Sequence, residues 1–350
     1  MKKTGLYIHF PFCRRTCFYC HFFKKKYARN LVDLYITYLL KEIRLRKDFG
    51  IVLDTIYLGG GSPSLMNSRQ LQLVLEGVAQ NFTLPAGIEF TLEANPEDIS
   101  KQQLKSLQDL GVNRLSIGVQ SFQERDLRFL KRTHSASQAV QAITLAREAG
   151  FTNISIDLII GLETQTAKSM GLNFHTIEKL KPAHISVYIL EGVHRPQSDD
   201  RDAKFYFQAR KNLLTMGYQH YEVSNYCLPG KASHHNLKYW RNQPYIGLGP
   251  SAAGYLDGKE YRNFPDLKKY AAALDENQFP LARTRQLDPI QRRIITGLRL
   301  LGGITASVFR SFSDQTDFLQ SEGFLILRGR NFAVPPDKIL LLNSILAYFL

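Results

Sequence analysis

The sequence predicts an α/β fold, in which a partial, open (β/α)6 barrel of the TIM type is followed by a smaller, mainly helical C-terminal domain. The first observation behind this prediction is that short β-rich runs alternate with amphipathic stretches up to about residue 225. The second is that Gly111, Gly150 and Gly217 each follow a helical stretch and precede the next strand, as helix-ending glycines do. The third is that this alternation stops after residue 225. The predicted domains are therefore residues 1–225 and 226–350, and a doubly wound sheet is the alternative for the first.

The strands of the predicted barrel are short runs bounded by turn residues. In chain order they are residues 6–10, 55–58, 89–93, 114–118, 153–158, 184–189 and, less clearly, 219–223. Helices are predicted over residues 31–47 and 68–80, and another begins after Ser100. About six such units are too few to close an eight-stranded barrel, so we expect the barrel to stay open.

The sequence pattern changes in the second part of the chain. Prolines and glycines at residues 229–230 and 244–250 predict a loop-rich bridge. Helical segments are predicted at about residues 265–274, 289–301 and 338–349. Before the last of them, FLILRGRNFAV predicts a hairpin with its turn at residues 328–331.

Composition is that of an ordered protein with a basic surface. Hydrophobic residues make up 44% and charged residues 22%, which excludes wholesale disorder and collagen-like repetition. A net charge of +14 predicts anionic ligands or partners. Four cysteines are too few for a disulfide scaffold and indicate a reducing compartment. No run reaches the ~18 apolar residues of a membrane-spanning helix, and the first residues do not resemble a secretory signal, so we expect a cytoplasmic protein.

Three of the four cysteines form a ligand-like pattern. Cys13, Cys17 and Cys20 follow the first strand with three and then two residues between them. All three thiols should therefore lie on one loop at the carboxyl end of the parallel strands, where such folds place their sites. A structural zinc site normally takes four protein ligands, whereas a cubane iron–sulfur cluster held by three cysteines leaves one iron free for another ligand. The spacing favours the cluster over zinc.

This pattern resembles the radical S-adenosylmethionine (SAM) superfamily, whose free iron binds the amino and carboxylate groups of SAM. Over most of residues 5–190 the chain is similar to the subgroup of the oxygen-independent coproporphyrinogen III oxidase. The similar blocks are YIHFPFC, YLGGGSPS, LEANPE, RLSIGVQSF, LKRTH and IDLIIGL. The resemblance implies a [4Fe–4S] cluster on the three cysteines and a SAM site lined by Tyr7, Gly60, Gly61, Ser62, Glu93, Gln120, Arg132 and Asp157.

The positions of these residues agree with that implication. Glu93, Gln120 and Asp157 come at the ends of successive predicted strands, so their side chains should surround one mouth of the barrel. The glycines at 59–61 let the backbone approach a ligand closely and could offer it N–H groups. Each residue alone is equally compatible with a loop or helix cap.

Two departures from the oxidase point to another branch of the subgroup. The oxidase has a further cysteine where this chain has Phe22, and it has a longer N-terminal extension than the twelve residues before the first cysteine here. Both departures, together with the motif HNLKYW at residues 235–240, resemble the haem-chaperone branch, which binds haem and delivers it. Motif alignment implies His235 as the haem ligand, and His234 and Cys227 are the alternatives. A histidine and tryptophan that merely pack the domain junction would also fit the local sequence.

The resemblance implies a haem chaperone with a SAM-liganded cluster. The alternative is an oxidase that uses a 5′-deoxyadenosyl radical to decarboxylate porphyrinogen propionates, and Phe22 and the short N-terminus argue against it. Radical SAM modification of RNA ranks third, because we see no clear RNA-binding module and expect no nucleic acid partner. The expected partners are haem and haem-accepting proteins, among them membrane-bound respiratory proteins, which is compatible with transient membrane association. The sequence leaves open a homodimer and whether SAM is cleaved.

Overall fold

The computed structural model describes residues 2–48, 50–190 and 198–350. Its strands are β1 (Lys2–Phe10), β2 (Phe12–Cys13), β3 (Lys25–Lys26), β4 (Ile51–Gly60), β5 (Glu89–Ala94), β6 (Arg114–Gln120), β7 (Asn153–Ile160), β8 (His184–Ile189), β9 (Gln219–Glu222), β10 (Asn225–Cys227), β11 (Tyr245–Leu248), β12 (Ala253–Leu256), β13 (Lys259–Asn263), β14 (Leu281–Gln286), β15 (Ile304–Thr305), β16 (Ile326–Arg328) and β17 (Asn331–Ala333).

The helices are α1 (Arg29–Leu45), α2 (Ser68–Ala79), α3 (Lys101–Asp109), α4 (Glu124–Phe129), α5 (Ala136–Glu148), α6 (Ala167–Leu180), α7 (Ser198–Thr215), α8 (His234–Trp240), α9 (Leu267–Asp275), α10 (Pro289–Gly297), α11 (Ser313–Ser321) and α12 (Leu342–Ala347). Short 3-10 turns lie at Pro63–Leu65, Pro96–Asp98, Ala306–Phe312 and Ile339–Leu341. Several of the helices begin where side-chain caps dictate. Asn67 and Ser135 each accept a hydrogen bond from the third helical residue, whose own side chain reaches back to the cap.

The predicted partial (β/α)6 barrel is confirmed. Strands β1, β4, β5, β6, β7 and β8 lie side by side in that order, and each neighbouring pair is parallel. Helices follow each of the first five strands and connect it to the next, as parallel strands require. The carboxyl ends of the six strands therefore face the same side of the molecule.

Side chains alternate across these strands, so the barrel has a dry outer face and a polar interior. In β1, Leu6, Ile8 and Phe10 are almost fully buried, and Phe10 packs edge-on against Tyr35 of α1. The intervening Tyr7 points the other way, into the barrel, where its ring lies beside other aromatic rings. This alternation places the polar residues of every strand inside the barrel, where they can reach a common ligand.

The structure extends the barrel sheet at both edges. The predicted strand at 219–223 exists as β9, but it is antiparallel to β10, which is itself antiparallel to β8. At the other edge, β11 pairs parallel with β1, and β12, β13 and β14 follow as antiparallel neighbours. We call β11–β14 the sheet extension. The expectation of a loop over residues 244–250 is wrong for β11. Its four residues are extended because they pair with β1, and the prolines on either side gave no indication of a strand in the sequence.

The remainder of the C-terminal region is largely helical, as predicted. Helices α10–α12 pack with a three-stranded sheet in the order β15-β17-β16. Its strands β16 and β17 form the predicted hairpin, with Gly329 in the left-handed conformation at the turn. The boundary between domains at residue 225 stays a prediction.

A buried carboxylate fastens the sheet extension to the barrel. Glu42 of α1 accepts hydrogen bonds from the backbone N–H of Gly249 at 2.7 Å, from Nδ2 of Asn263 at 2.8 Å and from the hydroxyl of Tyr270 at 2.8 Å. Its carboxylate also pairs with Arg46 at 3.3 Å. Burial raises the pKa of Glu42 above its ordinary value, against the opposing effects of Arg46 and these donors. One side chain thereby connects α1 with the end of β11, with β13 and with α9.

Candidate functional site

The three cysteines lie together, as predicted: Cys13 ends β2, and Cys17 and Cys20 lie on the loop that leads to β3. All three thiols are free and partly exposed. Burial, with a smaller contribution from the neighbouring thiols, raises the pKa of Cys13 to about 11. Within the described ranges, no three His, Cys, Asp or Glu side chains are arranged to hold a metal ion, so the loop is not closed around a metal.

The donor set nevertheless fits an iron–sulfur cluster. Three thiols share one loop, and cationic groups lie beside them to offset the charge of thiolate ligands. Arg132 places Nη1 3.8 Å from Sγ of Cys17, and Lys24 donates a hydrogen bond to the carbonyl of Cys20.

A histidine of β1 anchors the cysteine loop. His9 donates from Nε2 to the carbonyl of Phe23 at 2.8 Å, so Nδ1 is the acceptor for the Tyr7 hydroxyl at 2.9 Å. Burial lowers the pKa of His9 to about 4, which keeps the ring neutral and this arrangement of donors intact at neutral pH. The loop is also held at its base, where β2 pairs with β3. His9 therefore positions the loop and is not aimed at a ligand.

The glycine turn at the end of β4 packs against the chain that leads into the cysteine loop. The N–H of Gly60 donates to Glu93, and the N–H groups of Gly61 and Ser62 donate to the carbonyls of Phe10 and Phe12. A Cβ on Gly61 would lie 2.6 Å from the carbonyl oxygen of Phe12. The prediction that Gly60, Gly61 and Ser62 line a SAM site stays a prediction, and in this conformation their amides already donate to Glu93 and to the chain that leads into the cysteine loop.

The carboxyl groups of Glu93 and Asp157 both lie in the interior of the barrel, as their positions at the ends of predicted strands led us to expect. Glu93 accepts hydrogen bonds from the Tyr57 hydroxyl at 2.8 Å and from the N–H of Gly60 at 2.9 Å. Burial, followed by repulsion from Asp157, raises the pKa of Glu93 to about 7. Burial likewise raises the pKa of Asp157 to about 6, although Ser186 and other donors oppose it. Both groups therefore titrate close to neutral pH, which is a common property of functional sites.

A second chain of contacts joins the glycine turn to the cysteines. Asn95 donates from Nδ2 to Ser62 Oγ at 2.7 Å and accepts at Oδ1 from Nη2 of Arg132 at 2.6 Å. The same Nη2 also donates to the carbonyl of Gly118 at 3.0 Å, beside the contact of Nη1 with Cys17. Sequence reasoning missed Asn95, although its position two residues after Glu93 at a strand end was a usable signal.

Gln120 ends β6 in a strained conformation. Its φ of +67° lies in the left-handed region, which residues other than glycine seldom adopt. The pairing of β6 with β7 shifts register between Ile117 and Gln120, so the bulge turns this residue back toward the site. Strain of this kind is typical of residues held in place for a function. The structure thus brings Glu93, Gln120, Arg132 and Asp157 together with the glycine turn at the carboxyl ends of the strands, while Tyr7 lies deeper in the barrel. Their role as a SAM site stays a prediction.

The motif HNLKYW forms most of α8, which packs at the opposite end of the barrel. His235 is completely buried, with Nδ1 2.8 Å from Oγ1 of Thr55 and Nε2 2.8 Å from the hydroxyl of Tyr239. Burial lowers its pKa to about 3, with a smaller contribution from Lys238. Because both ring nitrogens are already engaged, His235 cannot bind iron in this conformation. Its role as a haem ligand stays a prediction that requires α8 to move.

The alternative haem ligands differ in exposure. His234 is exposed at the start of α8, and none of the described groups forms a hydrogen bond with its ring. Cys227 is buried in β10, and burial raises the pKa of its thiol to about 11. Of the three candidates, His234 is the one whose side chain solvent can reach.

The two ends of the barrel are connected through β1. His235 lies against Gly5, near the start of β1, and the cysteine loop follows its end at Phe10, a span of roughly 16 Å of strand. Tyr7 lies between them, with its ring centroid 6.5 Å from that of His235 and its hydroxyl bonded to His9. None of the described helices is long and apolar enough to span a bilayer.

Comparison with known proteins identifies the family. The model of the radical SAM superfamily matches residues 7–172. The heme chaperone HemW of Lactococcus lactis is 37% identical to this chain and is aligned over 89% of this chain and 85% of its own length. The heme chaperone HemW of Bacillus subtilis is 34% identical over 87% and 85%. A mitochondrial radical S-adenosyl methionine domain-containing protein 1 of Bos taurus is 30% identical over 99% and 87%.

A solved structure confirms the architecture. Coproporphyrinogen III oxidase (HemN) of Escherichia coli superposes with a TM-score of 0.87 over 99% of this chain and 90% of its own, at 24% identity. At that identity the likeness concerns the fold. Membership of the superfamily implies a [4Fe–4S] cluster and SAM as cofactors. The predicted haem-chaperone branch, favoured over the oxidase, is confirmed at the level of the family. The chain belongs to the radical SAM superfamily and, within it, to the family of the haem chaperone HemW.

Proposed function

We propose that this protein binds haem at α8 and transfers it to haem-accepting proteins, while a SAM-liganded [4Fe–4S] cluster occupies the cysteine loop at the other end of the barrel. The relatives from Lactococcus lactis and Bacillus subtilis are haem chaperones, which supports the proposal. The observation that carries it is the geometry of α8, a short helix that is fixed at its start and presents one histidine to solvent while it buries the next.

The start of α8 is held by a carboxylate. Glu89 accepts hydrogen bonds from the backbone N–H of His234 at 3.0 Å and of His235 at 2.9 Å, which satisfies donors that a helix leaves unpaired. His234 is therefore held in place at its backbone, while its ring has no hydrogen-bond partner among the described residues. A neutral imidazole is a standard axial ligand of haem iron, so His234 is the iron ligand that this conformation offers.

On the cluster side, Cys13, Cys17 and Cys20 would hold the cluster, which supplies an electron and one open coordination position when bound. Arg132 stands beside Cys17 and ties the loop to β5 through Asn95. Glu93, with its pKa near 7, is suited to accept a hydrogen bond from the ammonium group of SAM when it is ionised. Gln120 and Asp157 complete the proposed SAM site.

The proposal extends to the proteins that accept haem. We propose that they include membrane-bound respiratory proteins, that the protein works in the cytoplasm, and that its contact with membranes is transient. Haem itself is the cargo. Whether the protein acts as a homodimer is open to measurement by light scattering with and without haem.

The test is a titration of the anaerobically reconstituted protein with haem, followed at the Soret band. The wild type should bind one haem saturably. His234→Ala should weaken binding or shift the spectrum, whereas His235→Gln, which keeps a polar group in the buried position, should bind like the wild type. Loss of binding in His235→Gln alone would overturn the assignment of His234 and require α8 to open. If the wild type shows no saturable binding, haem transfer is refuted, and release of 5′-deoxyadenosine with coproporphyrinogen becomes the assay to run.

A further inference from the structure

The sheet extension continues the inner surface of the barrel. Residues that pair across neighbouring strands lie on the same face of a sheet, so the face can be followed from strand to strand. Gly5 of β1 pairs with Tyr245, and Tyr245 pairs with Tyr255 of β12. Tyr255 pairs in turn with Glu260, and Glu260 pairs with Arg285 of the edge strand β14. These side chains therefore stand on the face that carries Tyr7 and His9 in β1.

This face of the extension carries an unbalanced positive charge. Arg262 of β13 and Arg283 of β14 are directly opposite one another. Like charges at opposed positions destabilise a pair of strands, so such a pair needs another reason to be there. Neither residue has a carboxylate within salt-bridge distance in the described part of the chain; Arg262 instead donates to the hydroxyl of Ser251 at 3.0 Å.

The nearby carboxylate is already neutralised. Glu260 pairs with Arg285 at 2.8 Å and with Arg292 at 2.9 Å. Although burial alone would raise its pKa, hydrogen bonds and charge from these two arginines hold it below the ordinary value. Two guanidinium groups thus neutralise this carboxylate, and the charge of Arg262 and Arg283 is left for a ligand.

The arginines line a half-open cleft. Its volume is about 280 Å³, and its walls include Tyr245, Tyr261, Arg262, Arg283 and Arg285. Tyr245 packs against Tyr239 of α8 with ring centroids 4.6 Å apart, which places one end beside the helix of the proposed haem site.

The two arginines stand on the same face of the sheet as His9 of β1, the residue that anchors the cysteine loop. After the larger effect of burial, the charge of Arg262 contributes to the lowered pKa of His9. A ligand in the cleft would therefore meet Tyr245 and α8 at one end and the guanidinium groups of β13 and β14 along the cleft wall.

We propose that this cleft binds the propionate carboxylates of haem, with Arg262 and Arg283 as the residues that recognise them. Guanidinium groups match carboxylates with two parallel hydrogen bonds, and two opposed arginines suit a ligand with two neighbouring carboxylates. Tyr245 next to them, packed edge-on against Tyr239, suits a flat aromatic body. This inference rests on the proposed function, since it names the surface that would hold the acidic edge of the haem, while the iron ligand is supplied by α8.

The test uses porphyrins without iron, so that binding through the carboxylates is separated from binding through a histidine. Protoporphyrin IX and its dimethyl ester are titrated against the anaerobically reconstituted wild type, followed by porphyrin fluorescence. The wild type should bind the free acid at least about tenfold more tightly than the ester, as expected for charge-assisted hydrogen bonds in an accessible cleft. The double variant Arg262→Gln and Arg283→Gln should lose that preference.

Two controls keep the result interpretable. The double variant Arg310→Gln and Arg330→Gln removes the same charge from exposed positions in the C-terminal region and should keep the wild-type preference. Arg283→Gln alone changes an exposed residue without a side-chain partner among the described residues, so it should fold normally and show an intermediate preference.

The outcomes separate this inference from the proposed function. The cleft assignment is overturned, with haem binding left in place, if the wild type binds haem but shows no preference for protoporphyrin IX over its dimethyl ester. It is also overturned if the double variant at Arg262 and Arg283 keeps the wild-type preference. A double variant that binds SAM more weakly than the wild type but protoporphyrin IX as tightly also overturns the cleft assignment, because the arginines would then hold the carboxylate of SAM. Absence of haem binding in the wild type refutes the proposed function itself.

Discussion

Replacing Glu42 with alanine should loosen the sheet extension from the barrel and destabilise the protein by about 3 kcal/mol. The carboxylate is buried and accepts hydrogen bonds from Gly249, Asn263 and Tyr270. Its removal leaves the N–H of Gly249 and the hydroxyl of Tyr270 without their acceptor, and each orphaned buried group costs about 1–3 kcal/mol. Asn263 loses less, because its amide also donates to the carbonyl of Gly249 at 2.9 Å.

Glu42→Gln should fall between the wild type and Glu42→Ala. The amide keeps one acceptor oxygen, and it turns the second position into a donor that faces other donors. An exposed ion pair on the same two helices provides the control. Lys41 of α1 and Asp275 of α9 are 2.6 Å apart and both largely exposed, so Asp275→Asn should leave the stability nearly unchanged.

The assay is urea-induced unfolding, followed by circular dichroism and by the fluorescence of Trp240, the single tryptophan of the chain. Free energies of unfolding are compared among the wild type, the two Glu42 variants and Asp275→Asn. A Glu42→Ala variant within 1 kcal/mol of the wild type, or no more affected than Asp275→Asn, would refute the role assigned to this carboxylate.

Three further outcomes follow from the site. Since burial raises the pKa of Glu93 from 4.5 to about 7, the folded protein holds a proton that the unfolded chain releases, and the contribution of Glu93 to the free energy of unfolding should fall by on the order of 3 kcal/mol as pH rises from about 4.5 to 7. The buried His9 and His235, whose pKa values are lowered, act in the opposite direction, so the effect is measured as the difference between the wild type and Glu93→Gln in urea titrations at several pH values. Gly61→Ala should lower the iron and sulfide content after reconstitution, because its Cβ would collide with backbone carbonyls, whereas Gly171→Ala, with open space around it on α6, should not. His235→Ala should cost about 2–4 kcal/mol by orphaning two buried hydroxyl groups, and equal melting of this variant and His234→Ala would contradict the burial described here.

Much of the barrel could be predicted because its signals are local. The alternation of strands and helices can be inferred from side-chain periodicity, and the short spacing of the cysteines in the sequence places them on one loop. The convergence of Glu93 and Asp157 was predictable too, since parallel strands end at the same edge. The strand β11 was not, because its four residues depend on a partner strand more than two hundred residues earlier. The same distance in sequence separates Glu42 from the groups that it binds.

Adjacent residues show where sequence reasoning stops. His234 and His235 are neighbours in the chain, yet one is exposed and the other completely buried, because successive residues of a helix point about 100° apart and only the packing of α8 decides which side faces the barrel. By itself the sequence determined the family, the barrel and the cysteine loop, which depend on residues close together in the chain. The tertiary structure decided which amides of the glycine turn are already used, which histidine is accessible and that Arg262 and Arg283 face each other. These features depend on burial and on contacts between distant segments, and neither is encoded in a local pattern.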